Sequence, residues 1–185
     1  MIPNYCLKCG HELETRNISN VDRRACPACD FVFWGDYSIG VGAIVIKDDK
    51  ILLVRRAQEP GRGRFTLPGG YIEQFEPIEE TVIREVKEET GVIAKVSSVV
   101  ALRDQPRAVH NIYVVFAMDY VSGDVLPDNE EVDQAGFYSL EDMTSMNVAD
   151  LTRWLVHIAY SKTRSGLQPD PAPIVPLQGY GLYRV

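Results

Sequence analysis

At 185 residues, with 45% apolar and 24% charged side chains, the chain can build one full hydrophobic core and a small appendage but not two ordinary domains. A formal net charge of -7 argues against a nonspecific nucleic-acid surface, which needs clustered lysines and arginines. No run approaches the roughly 20 apolar residues that span a bilayer, and residues 1–9 lack the basic-then-apolar order of a secretory signal. A soluble, cytoplasmic protein is expected, without a membrane partner and with nucleic acid disfavoured.

Residues 1–35 hold all four cysteines and few large aliphatics, so this segment cannot bury enough apolar surface alone and needs a staple. Cys6-x2-Cys9, sixteen intervening residues and Cys26-x2-Cys29 give the spacing of a four-thiolate tetrahedral zinc site. Two disulfides would suit a secreted chain better. With every ligand position filled by cysteine there is no open place for a catalytic water, so the zinc is expected to be structural. Lys8, Arg16, Arg23 and Arg24 give only a thin positive field, and His11 reads as an ordinary surface histidine.

The pattern changes at Tyr37. Residues 39–46 and 51–54 are β-branched apolar runs around Lys47-Asp48-Asp49-Lys50, which reads as a hairpin opening an α/β main domain over residues 36–164. Residues 59–63 form a loop, and 65–70 a short extended segment ending in a tight Gly-Gly turn. A helix is expected over 77–90: Pro77 suits the first turn, Ile78, Val82 and Val86 recur on one face, and Gly91 supplies the stop. Two longer strands follow at 92–102 and 112–121, joined by a polar loop at 103–107. An acidic loop at 126–132, a short strand at 135–138 and an amphipathic helix at 148–162 close the core. Residues 165–185 carry four prolines and read as a tail, although Ile174, Leu177, Tyr180, Leu182 and Tyr183 are apolar enough to pack on the body or on a partner.

The segment richest in chemistry is Gly70-x5-Glu76-x7-Arg84-Glu85-Val86-x-Glu88-Glu89-x-Gly91-Val92. On a helix, Glu85, Glu88 and Glu89 are three and four apart, so their carboxylates converge. A lone E-x-x-E-E is usually only a solvated acidic face. The Gly-Gly loop before it, the acid at the helix start, the central arginine and the closing glycine together suit a site for hard divalent cations. This stretch resembles the Nudix box at every defining position. The resemblance covers roughly residues 37–163, and the ribbon before them looks like that of zinc-containing Nudix hydrolases, including the NADH pyrophosphatase group and related FAD or ADP-ribose hydrolases.

The resemblance implies an α/β/α sandwich with a mixed sheet, preceded by a small zinc ribbon. It implies that Glu85, Glu88 and Glu89 coordinate magnesium or manganese with the Gly69 carbonyl, that Arg84 holds the carboxylates in place, and that Glu76 supports the loop and the metal network. The general base is Glu85 by family analogy, or Glu130 or Glu131 from the later acidic loop, which by itself reads equally well as a solvated turn. Arg55, Arg56, Arg62, Arg64, Arg103 and Arg107 are candidates for the substrate phosphates, Arg103 and Arg107 foremost, since guanidinium pairs well with them. Tyr71, Phe75 and Tyr113 are candidates for stacking a base, a role rarer for aromatics than core packing.

The activity implied is hydrolysis of the pyrophosphate bond in a small nucleoside-diphosphate-linked compound such as FAD or ADP-ribose, by a homodimer. The alternatives are a sanitising nucleoside triphosphate pyrophosphohydrolase and a noncatalytic nucleotide-binding regulator; the latter usually lose box glutamates, all of which stand here. NADH pyrophosphatases carry Ser-Gln-Pro-Trp-Pro-Phe-Pro after the box, whereas this chain has Asp104-Gln105-Pro106-Arg107-Ala108 and shares only Gln-Pro. ADP-ribose hydrolases have a proline near the place Pro106 occupies.

Overall fold

The computed structural model describes residues 2–160, 168–169 and 181–184. The N-terminal segment forms a two-stranded hairpin, β1 (Glu14–Ile18) and β2 (Val21–Ala25). Its turn places Ser19 and Asn20 at φ 54° and 63°, the left-handed geometry that matches the twist of the flanking strands. Beneath it lies a cluster of only Cys6, Leu13 and Cys26, with Cys29 and Phe31 packed against them.

The main sheet begins with β3 (Tyr37–Lys47) and β4 (Lys50–Arg56). They meet in the expected hairpin, with Lys47 opposite Lys50 and Asp48 and Asp49 at φ 50° and 56°. The remaining elements in chain order are β5 (Phe65–Thr66), α1 (Ile78–Thr90), β6 (Ile93–Gln105), β7 (His110–Ser122), β8 (Val132–Tyr138), a 3-10 turn at Asp142–Thr144, α2 (Asp150–Ala159), β9 (Gln168–Pro169) and β10 (Gly181–Arg184). The strand order is β5-β4-β3-β7-β6-β10-β9, with β8 also paired to β4. β3 and β7 run parallel while the other ladders are antiparallel, so the sheet is mixed.

Strand periodicity sends alternate residues to opposite faces, and each face is covered by one helix. Val41, Ala43 and Val45 of β3 and Leu52 of β4 pack with Val82 and Val86 of α1. Ile44, Ile51 and Leu53 pack on the other side with Trp154, Leu155 and Ile158 of α2. Fully burying a side chain of this kind contributes about 1.5–3 kcal/mol, and two such layers clamp the sheet from both faces. The α/β/α sandwich is therefore observed.

Three expectations shift. β6 continues to Gln105, so Arg103 lies in a strand rather than in the connecting loop. The antiparallel ladder with β7 carries it, through Arg103 opposite Tyr113 and Gln105 opposite Asn111, cross-strand hydrogen bonding that single-sequence polarity does not reveal. α2 is shorter than its periodicity suggests at both ends. Within the stretch read as a tail, β10 pairs with β6 and buries Leu182 in the α2-side core; Ile174, Leu177 and Tyr180 lie outside the described residues. Among the described residues no helix is long and apolar enough to cross a membrane.

Candidate active site and metal centre

The loop before α1 is laid along β3. Ala43 donates its N–H to the Pro68 carbonyl at 2.9 Å, and Val41 donates to the Gly70 carbonyl at 2.8 Å. Gly69, between them, sits at φ 152°, and a Cβ there would come within 2.0 Å of the Val41 carbonyl oxygen. A Cβ on Gly70 would meet the Glu85 carboxyl group at 2.5 Å. The glycine pair is thus needed twice: once for backbone geometry against β3, once for the approach of a carboxylate.

α1 starts after Pro77 and ends where Gly91 turns left-handed at φ 70°, its N–H reaching the Lys87 carbonyl at 2.8 Å. Val82 and Val86 face the sheet and turn Glu85, Glu88 and Glu89 towards the loop side. Arg84 organises them. Its Nε and Nη2 grip both oxygens of Glu76 at 2.9 Å, and its Nη1 reaches Glu85 at 2.8 Å and Glu88 at 2.9 Å. Thr81 Oγ1 donates to Glu76 at 2.9 Å. Glu76 lies on the far side of Arg84 and does not line the cleft formed by the other box residues.

Each carboxylate feels a different field. The Arg84 guanidinium, with help from Thr81, holds Glu76 down at about 2. Burial raises Glu85 despite its contact with Arg84. Glu89 is 6% exposed and accepts the Gly69 N–H at 2.9 Å. Burial pushes it up to about 8, and the negative charges of Glu85, Glu131 and Asp128 add to the shift. A buried carboxylate this destabilised as an anion is what a divalent cation would relieve, so the donor set fits a hard metal.

The acidic loop is a built feature. Asp128 Oδ1 accepts the N–H groups of Glu130 at 2.8 Å, Glu131 at 3.0 Å and Val132 at 3.0 Å, an Asx-type turn with Asn129 at φ 63°. Ala57 donates its N–H to the Glu131 carbonyl at 2.8 Å. Glu130 and Glu131 both line the cleft, and Glu131 is the one whose charge acts on both Glu85 and Glu89. The loop's sequence offered the signal, an aspartate followed by three amides it can cap, but not where the loop would stand.

The cleft of about 1470 Å³ brings together Arg64, Gly69, Arg84, Glu85, Glu88, Glu89, Arg103, Arg107, Glu130 and Glu131. Of the aromatic candidates, Tyr71 and Tyr113 line it, whereas Phe75 is 99% exposed and does not. Arg56 and Arg62, also among the sequence candidates for phosphate, line the cleft too, as does Asn111, which the sequence did not single out. The cavity thus gathers several carboxylates and several guanidinium groups, a lining that can hold a cation and a diphosphate together.

The four ribbon sulfurs all lie within 4.8 Å of one another, with Cys9 Sγ 3.4 Å from Cys26 and 3.6 Å from Cys29, and Cys6 3.6 Å from Cys29. A disulfide would need about 2.05 Å, whereas thiolates about 2.3 Å from a central zinc stand roughly 3.8 Å apart. The backbone N–H groups of Lys8 and Ala28 point at Cys6 and Cys26 at 3.4 Å, as two matched knuckles require. The donor chemistry therefore fits a thiophilic metal. His11 Nδ1 lies 3.5 Å from Cys9 Sγ, beside the four-sulfur set.

The NUDIX domain family matches residues 36–158. The chain is similar to an ADP-ribose pyrophosphatase of Methanocaldococcus jannaschii, 36% identical over 126 residues that make up 63% of this chain and 74% of the relative. It is also similar to an NAD-capped RNA hydrolase NudC of Stutzerimonas stutzeri, 27% identical over 175 residues; that alignment takes in 93% of this chain but only 60% of the relative's length. A solved NUDIX hydrolase from Nitrosomonas europaea superposes with a TM-score of 0.71 at 26% identity, covering 80% of this chain and 84% of the other. Nudix hydrolases use divalent metals, in keeping with the carboxylate set. With the family matched over residues 36–158 and the box residues from Gly70 to Glu89 lying along one loop and helix, the chain belongs to the Nudix hydrolase family.

Proposed function

We propose that the protein hydrolyses the pyrophosphate bond of an ADP-linked diphosphate, ADP-ribose or a related dinucleotide such as FAD, and releases two monophosphates. The observation that carries this is the cleft itself, which gathers Glu85, Glu88 and Glu89 in one lining with Arg64, Arg103 and Arg107. The names of the two relatives, an ADP-ribose pyrophosphatase and an NAD-capped RNA hydrolase, support the same class of bond.

In this proposal Glu85, Glu88, Glu89 and the Gly69 carbonyl hold magnesium or manganese, and the four cysteines hold a structural zinc. Bound magnesium or manganese would acidify a water and neutralise phosphoryl oxygens. Arg84, clamped by Glu76, keeps Glu85 and Glu88 at a fixed spacing. Glu131 takes the water's proton, being the loop carboxylate whose field reaches the metal-binding pair. Arg64, Arg103 and Arg107 bind the diphosphate. The protein is proposed to act as a cytoplasmic homodimer, and sedimentation at micromolar concentration giving the mass of one chain would remove the dimer.

The deciding experiment incubates the protein with magnesium or manganese and, separately, ADP-ribose, FAD, NADH and nucleoside triphosphates, beside Glu89→Gln. AMP release from a dinucleotide or ADP-ribose, lost in the variant, is expected. Pyrophosphate release from triphosphates alone would replace this proposal with the sanitising alternative, and no turnover by folded, zinc-loaded protein would favour a regulator.

A further inference from the structure

Three neighbouring strands form the floor of the cleft, and their register places side chains in rows. Ser38 on β3 stands beside Asn111 on β7, which faces Gln105 on β6; in the next row Gly40 stands beside Tyr113, which faces Arg103. Gly42 begins a third row beside Val115. The two glycines leave a slot that Tyr113 fills by leaning across β3. A Cβ on Gly40 would come 3.0 Å from Tyr113 Cδ2, and one on Gly42 would fall 2.2 Å from its hydroxyl oxygen. The same glycines face the loop before α1: a Cβ on Gly40 would lie 3.2 Å from the Gly70 carbonyl, and one on Gly69 would lie 2.8 Å from Gly42 Cα.

The ring so placed carries the Arg103 guanidinium, whose Cζ stands 5.1 Å from the ring centroid. Arg103 Nη2 also donates to Asn111 Oδ1, and Asn111 in turn donates through Nδ2 to Ser38 Oγ at 2.8 Å. An arginine side chain has many rotamers to lose on binding. Here stacking below and an amide alongside fix it before any substrate arrives, which lowers the entropic cost of gripping a phosphate.

We infer that Tyr113, seated on Gly40 and Gly42, and Asn111, braced by Ser38, are positioning residues that hold Arg103 at a set distance from the Gly69–Gly70 end of the cleft and thereby tune the grip on the substrate's diphosphate. This rests on the proposed function for the identity of the ligand, but the rows, the slot and the stacked guanidinium do not depend on it. Tyr113 touches no reacting atom in this scheme. Its effect should appear in substrate binding rather than in the chemical step.

The test measures KM and kcat for ADP-ribose, and the dissociation constant of ADP by calorimetry, for Arg103→Ala, Asn111→Ala, Tyr113→Ala and Tyr113→Phe, with thermal melts for each. Losing either the cation–π contact or the charge-assisted hydrogen bond that fixes the guanidinium should raise KM about tenfold. Tyr113→Ala and Asn111→Ala should do this with kcat within about threefold of the parent, Arg103→Ala should do at least as much, and Tyr113→Phe, which keeps the ring, should stay near the parent. Asn111→Ala keeps the slot filled, so it answers the question even where Tyr113→Ala melts. Unchanged KM in Asn111→Ala, or a fall in kcat alone, would overturn the inference, as would a parent-like KM in Arg103→Ala. Absence of turnover by the parent would sink the proposed function instead, and parallel weakening of ADP binding across the alanine variants would still support the positioning role.

Discussion

The ribbon and the carboxylate cleft are both gatherings of anionic ligands, yet they are built in opposite ways. In the ribbon the four sulfurs lie within 4.8 Å of one another over a core of three buried side chains, so little apolar burial backs them or the β1–β2 hairpin. In the cleft the glutamates ride on a helix whose buried face belongs to a full core layer, and Arg84 keeps Glu85 and Glu88 in place. With zinc and magnesium or manganese bound as proposed, the first set would make a fold out of a metal and the second a metal site out of a fold. A closed thiolate set suits structure, while an open carboxylate set beside a cleft leaves room for water and substrate.

The sharpest way to break the comparison is metal removal. Metal binding supplies about 10–16 kcal/mol in isolated zinc-finger peptides, so a strong thiophilic chelator should melt residues 1–35 completely. The sandwich should keep its cooperative transition, read by amide exchange resolved along the chain. If both parts melt together, the main core depends on the ribbon and the contrast is wrong.

Within the cleft, Glu131→Gln should lower kcat by about 10²–10⁴-fold, the usual worth of a general base, with Glu130→Gln changing it little. Steady-state kinetics on ADP-ribose would distinguish the two, and the reverse ranking would move the base to Glu130. A smaller loss is expected one step out. Glu76→Gln removes the clamp on Arg84 and should weaken magnesium or manganese binding about 10–100-fold, as followed by manganese paramagnetic titration, while leaving ribbon zinc content unchanged.

Two pH effects should be smaller still. Glu89 sits at about 8 without metal, so near neutrality it must lose a proton to bind a cation. Divalent-metal affinity should rise with pH up to about 8, and Glu89→Gln should flatten that slope. Glu76 behaves with the opposite sign: its value falls from 4.5 to about 2 on folding, so its stabilising effect is present above 4.5 and is lost as pH falls towards 2. Acid melts of the parent against Glu76→Gln should converge at the low end of that window, and divergence there would show that Arg84 finds another partner.

The thiolate quartet and the helix were readable in the chain because both depend on local spacing: two C-x2-C pairs, and glutamates three and four apart after a Gly-Gly loop and before a stopping glycine. The hairpin of β3 and β4 followed from two apolar, β-branched runs on either side of a polar four-residue turn, for the same reason. The ends of β6 and α2 were not legible, since strand pairing and packing override polarity at element boundaries.

The amino-acid sequence by itself therefore pointed to the family, the two kinds of ligand set and the residues able to fill them, because each is marked by spacing within short motifs of the chain. Only the tertiary structure decided which residues meet from afar. It seated Tyr113 on glycines of the adjacent parallel strand and stacked Arg103 upon it. Those choices depend on register between β3, β7 and β6, and register is fixed by which side chains the two core layers bury together.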